Sequence, residues 1–103
     1  MFGNFFRTAH VDAFAVQIVE AFVKAAPPSR MADSSRKAAK KRDQLDEQVR
    51  RQAEQFAREH RLNVFQKARL GSQLQDGLEQ AGYDAELSKA YSYEVTKLVA
   101  LVR

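Results

Sequence analysis

The amino-acid sequence predicts an all-α protein, a small helical bundle of about four helices in a single domain over 1–103. Three observations lead there. The 103 residues hold four glycines and two prolines, and the prolines are adjacent at Pro27 and Pro28; an all-β chain of this length would need far more turn chemistry. Hydrophobic residues make up 45% and charged residues 29%, a balance that can build a core and is too apolar for wholesale disorder. Apolar positions recur at three- and four-residue spacing in four successive segments, the period of an amphipathic helix.

The first helix is expected over 9–26, ended by Pro27 and Pro28, because proline disfavours helical geometry in the residue before it. At about 100° per residue, Asp12, Gln17, Glu20 and Lys24 form one narrow polar stripe. The rest of the cylinder is apolar and includes Phe14, Val16, Ile18, Val19, Phe22 and Val23. So wide an arc needs cover on more than one side. The helix is therefore expected either to lie sandwiched at the centre of the bundle or to use these six residues as a self-association interface. Phe2, Phe5 and Phe6 precede it and suit either packing over the core or a partner-facing patch.

The second helix is expected over 34–61, with Asp33, Ser34 or Ser35 as N-cap. Its seam of Leu45, Val49, Ala53 and Phe56 is thin, and only small or charged groups precede Leu45. Residues 30–44 are accordingly expected to project into solvent or fray. The third helix, over 63–81, is capped by Asn63 and stopped by Gly82 at C′, with Leu70, Leu74 and Leu78 on its apolar face. Gly71 and Gly77 interrupt it, and each costs about 1 kcal/mol against alanine; close approach of a neighbouring helix or a local bend would supply a reason, and two glycines tolerated without a purpose are the alternative. The fourth helix, over 84–103, is capped by Asp84 and striped by Leu87, Tyr91, Val95, Leu98 and Val102. The short Gly82–Tyr83 turn makes the third and fourth helices a hairpin. A helix-turn-helix reading of the same pair is weaker, because Asp84, Glu86 and Glu94 cancel Lys89, Lys97 and Arg103 on the would-be recognition helix.

The formal net charge of +4 resides in one segment. Residues 1–29 and 62–103 are each neutral, whereas 30–61 carries ten basic and six acidic groups. Arg36, Lys37, Lys40, Lys41 and Arg42 fall within seven residues, followed by Arg50 and Arg51. Dense Lys and Arg release counterions from nucleic acid, so these seven are the candidate polyanion-binding residues. A solvated face is the plainer alternative for the later part, where Asp46–Arg50, Glu47–Arg51 and Glu54–Arg58 are acid-before-base pairs at i,i+4.

Catalysis finds no foothold in these patterns. The sequence has no phosphate-binding glycine loop and no nucleophile elbow, and it has no cysteine for disulfide or thiolate chemistry. His10 and His60, the only histidines, stand fifty positions apart without ligand spacing. No catalytic residue, metal or cofactor is expected. The apolar stretch through residue 26 carries Asp12, Glu20 and Lys24, too many charges to span a bilayer. Its polar stripe is not basic, as an interfacial membrane helix would be, and it lacks a basic start and a cleavage site. The expectation is a cytoplasmic, non-catalytic interaction module, self-associating or protein-binding, with nucleic acid as the alternative partner.

Overall fold

In the computed structural model, which describes residues 7–102, three of the four helices begin on a side-chain cap. The helices are α1 (Ala9–Ala25), α2 (Arg36–Glu59), α3 (Val64–Ala81) and α4 (Ala85–Leu101), with a single 3-10 turn at Pro28–Arg30 between the first two. α1 stops where Ala26 leaves helical geometry ahead of Pro27. Of the three candidate caps for α2, Ser35 is the one used. Its Oγ accepts from the Ala38 N–H at 3.2 Å, while the Asp33 carboxylate accepts from the Ser35 N–H at 2.8 Å. Asn63 and Gln66 form a reciprocal capping box at 2.8 and 3.0 Å, and the Asp84 carboxylate accepts from the Leu87 N–H at 2.7 Å. Gly82 takes φ +110°; its N–H donates to Glu79 O and the Tyr83 N–H to Leu78 O, each at 3.1 Å, closing the C-terminus of α3 as the sequence anticipates. α2 ends two residues before the expected Arg61, because His60 is already extended on the way to the Asn63 cap. Phe2, Phe5, Phe6 and Arg103 lie outside the described residues.

The helices form two antiparallel hairpins laid side by side. In the first, the His10 and His60 rings sit 4.7 Å apart and Phe14 stacks on Phe56 at 4.2 Å, so the start of α1 meets the end of α2. The second hairpin is α3 and α4, joined by the Gly82 turn. Asp12 meets Arg69 and Val19 meets Gly77, so α1 and α3 run parallel. Val49 neighbours Tyr91 and Val95, and Ala57 neighbours Val99, so α2 and α4 also run parallel. Extensive packing joins α1 to α2 and α3, and α4 to α2 and α3, leaving α2 and α3 on one diagonal. Phe22 fills the other diagonal, edge-on to Tyr83 and Tyr91 with centroids 4.8 and 4.4 Å away.

This arrangement corrects the reading of the first helix. Phe14, Ile18 and Phe22 are buried in the chain's own core and cannot serve as an interface in this fold. α1 occupies a corner with α2 and α3 on two sides, so Ala13, Val16, Gln17, Glu20 and Lys24 face solvent. Two neighbours suffice for most of the arc. Val16 is 55% exposed, and Val19 and Val23 are half-buried.

α4 also presents a different face from the one its large residues suggest. Ser88 and Ser92 are buried alongside Val95 and Val99, while Leu87, Tyr91, Leu98 and Val102 are half-buried at the margins. The serines need no outside partner, because Ser88 Oγ donates to Asp84 O at 2.8 Å and Ser92 Oγ to Lys89 O at 2.9 Å. α3 carries a point of close approach to a neighbouring helix. At Gly77 the approach is by α1: a Cβ there would stand 2.9 Å from a Val19 methyl.

Candidate polyanion-binding site

The first two turns of α2 carry the basic cluster. Arg36, Lys37, Lys40 and Lys41 are exposed, on a segment that is helical from Arg36 onward. Ser35 caps it, and Arg42 ties it to the preceding loop. The Arg42 Nη2 donates to Arg30 O at 3.3 Å, Met31 O at 3.2 Å and Asp33 O at 2.7 Å. Arg42, half-buried by these contacts, is therefore a structural clamp as well as a cation of the cluster. Arg50 and Arg51 are exposed further along α2 and do not join the same group.

Among the described residues the ion pairs are Glu54–Arg58 at 3.8 Å and Asp12–Arg69 at 3.0 Å. Of the three i,i+4 pairs read from the sequence, Glu54–Arg58 alone closes to that distance. Arg36, Lys37, Lys40, Lys41, Arg50 and Arg51 have no ion-pair partner among the described residues.

Folding adds cations that the linear cluster does not contain. Lys24, from the last turn of α1, and Arg30, from the 3-10 turn, line one cleft of about 260 Å³ together with Lys37, Lys41 and Arg42. Asp33 is the single carboxylate in that lining. The hydrogen bonds from Ser35 hold its carboxyl below the usual carboxylate range, and Arg30 and Arg42 add to the effect. Nothing local in the sequence flags Lys24 or Arg30; the Pro27–Pro28 reversal that folds α1 back on α2 was the available clue. A second, wider cleft of about 550 Å³ at the other end of α2 is lined by Arg58, His60, Arg61 and Lys67 among others.

The two histidines, remote in sequence, meet at that end of the bundle. Burial, the neighbouring His60 and Arg7 lower the His10 pKa, against a smaller opposing pull from Asp12. Among the described residues no group of three or more His, Asp or Glu side chains is placed to hold a metal ion, and no helix is long and apolar enough to cross a membrane. The Tyr91 hydroxyl is buried without a hydrogen-bond partner; desolvation, with a contribution from Asp46, raises its pKa. Taken together, the arrangement offers fixed positive charge at a corner of the bundle, suited to electrostatic recognition of anions.

Comparisons of the chain with protein-family models, curated protein sequences and solved structures find no match.

Proposed function

We propose that the chain is a non-catalytic helical binding module whose ligand is a nucleic acid, contacted through its phosphates by the N-terminal half of α2. The observation that carries this reading is the unpaired state of Arg36, Lys37, Lys40 and Lys41: four exposed cations within six residues, without ion-pair partners among the described residues. A merely solvated helix face intersperses its charges, as the later part of α2 does. Concentrated cations instead favour displacement of condensed counterions from a polyanion.

The test is a fluorescence-anisotropy titration of single- and double-stranded oligonucleotides at two salt concentrations. If the four cations each neutralise one phosphate of a duplex, affinity falls about a hundredfold between roughly 50 and 200 mM salt. Charge reversal at Lys40 and Lys41 together should weaken every sequence alike, since phosphate contacts carry no base information. Absence of binding at the lower salt removes the proposal.

A second reading, self-association through α1, draws support from the stripe of Val16, Val19 and Val23, which packing inside the chain leaves partly open. Phe14, Ile18 and Phe22 no longer contribute to it. Sedimentation equilibrium up to submillimolar concentration decides the matter: a monomer throughout discards the dimer, and a dimer broken by Val16→Asp supports it.

A further inference from the structure

The corner between α1 and α2 holds more than a charged helix face requires. Five cations from three separate segments converge on its cleft, with Ala25, Ala26 and Pro27 forming part of the wall. Like charges gathered in a concavity repel one another. An anion of matching charge relieves that repulsion. The cleft also has a fixed point. Arg42 is immobilised through Nη2 by three backbone carbonyls, while its Nε and Nη1 have no acceptor among the described residues. A guanidinium already held in place, with donors to spare, loses little side-chain freedom on taking an oxyanion. Asp33, the opposing charge, is engaged with the Ser35 N–H at 2.8 Å.

We propose that this cleft is a discrete subsite for a condensed phosphate group, a di- or triphosphate, with one bound per chain. The proposal rests on the reading of α2 as a phosphate-contacting surface and narrows it to a single saturable site. Charge matching selects the ligand: a phosphomonoester carries about −1.5 to −2, which leaves five cations and one carboxylate well short of balance. Two or three linked phosphates come nearer. Lys24, Arg30, Lys37 and Lys41 supply movable ammonium and guanidinium donors, and Arg42 supplies the fixed ones.

The experiment is an NMR titration of the full chain with inorganic pyrophosphate, using sulfate at matched ionic strength as control. The expected result is saturable one-to-one binding with amide shifts centred on 24–42, and weaker sulfate binding. Lys37→Gln and Lys41→Gln should each lower pyrophosphate affinity by about tenfold, the scale of one charge-assisted contact. Asp33→Asn should raise affinity, since an amide oxygen still accepts from Ser35 while the repelling charge is gone. Lys40→Gln, outside the cleft lining, should lower pyrophosphate affinity less than Lys37→Gln does. Circular dichroism of each variant verifies that the helices persist. Unsaturable shifts, equal affinity for sulfate, or equal losses from Lys40→Gln and Lys37→Gln would overturn the subsite.

The two proposals fail separately. Oligonucleotide binding without pyrophosphate shifts at the corner overturns the subsite and spares the surface; pyrophosphate binding at the corner without oligonucleotide binding does the reverse. Comparing a short RNA bearing a 5′-triphosphate with its 5′-hydroxyl counterpart and with ATP then assigns the source of the condensed phosphate.

Discussion

Adding one methyl group at each of the two glycines inside α3 should shift stability in opposite directions. A glycine in a helix interior costs about 1 kcal/mol relative to alanine, so Gly→Ala stabilises wherever the methyl has room. At Gly71 it has room, because the new Cβ would meet Thr96 Oγ1 at 3.5 Å, an ordinary contact. Gly71→Ala should therefore raise the unfolding free energy by about 0.5–1 kcal/mol. At Gly77 the Cβ would lie 2.9 Å from Val19 Cγ2, well inside the 3.5–4.0 Å at which carbon atoms attract. Valine is stiff at χ1, so relief requires a rotamer change or movement of α1 away from α3. Overpacking of this kind costs about 1–3 kcal/mol. Set against the gain in helix propensity, Gly77→Ala should be neutral to destabilising by about 2 kcal/mol. The assay is urea unfolding followed by circular dichroism, run as a double-mutant cycle. In a Val19→Ala background the obstructing methyls are absent, and Gly77→Ala should become stabilising by about 1 kcal/mol. If Gly77→Ala stabilises the wild-type protein as much as the Val19→Ala variant, α1 and α3 are not in close contact there, and the parallel pairing of the two hairpins is wrong.

Tyr83→Phe deletes the hydroxyl that donates to Ala26 O at the C-terminus of α1, and should lower stability by about 1–2 kcal/mol because a buried carbonyl loses its partner; an unchanged urea midpoint would contradict the bond. Ser35→Ala removes the cap of α2 and should cost about 1 kcal/mol, with the loss of amide-exchange protection centred on Arg36 to Lys40. His10 has a lowered pKa in the folded protein, so its neutral form is the one the fold favours; that stabilising contribution is complete above the unfolded value of about 6.5 and is lost as pH falls through it. Urea midpoints measured from about pH 7.5 down to about pH 5 should therefore decline less steeply for His10→Gln than for the wild type, and identical slopes would refute the lowered His10 pKa.

Helix existence was legible in this sequence because the signals were local. Ser35, Asn63, Gly82 and Asp84 each act within a few residues of themselves, and each sits where its chemistry places it. Which face points inward was less legible, because burial depends on neighbours that the period alone does not specify. Ser88 and Ser92 face the core through hydrogen bonds to their own helix, so a hydropathy stripe drawn through Leu87 and Tyr91 is displaced from the buried side. Val16 shows the converse. It belongs to the apolar arc by angle, yet α1 has covering neighbours on only two sides, and the residue stays exposed. Only the fold could show that Phe14, Ile18 and Phe22 are core residues, since an apolar arc looks the same whether its cover comes from the same chain or another.

The basic site divides along the same line. Charge density is a property of sequence, and Arg36 to Arg42 announce it without a structure. Concavity is a property of topology. The Pro27–Pro28 break turns the chain back so that α2 runs antiparallel to α1, and this reversal carries Lys24 and Arg30 to the flank of Lys37 and Lys41. The same turn fixes Arg42, whose three carbonyl acceptors belong to the loop the prolines begin. A straight helix bearing the identical cluster would attract polyanions and release them with little discrimination, because its cations would all be mobile and lie on a convex surface. Placing one immobilised guanidinium in a corner walled by Ala25, Ala26 and Pro27 changes what selectivity can rest on, from the number of charges to the spacing of a ligand's oxygens. For that reason the response to Asp33→Asn is informative: a diffuse field would register one lost negative charge weakly, whereas a cleft with a single opposing carboxylate should register it strongly.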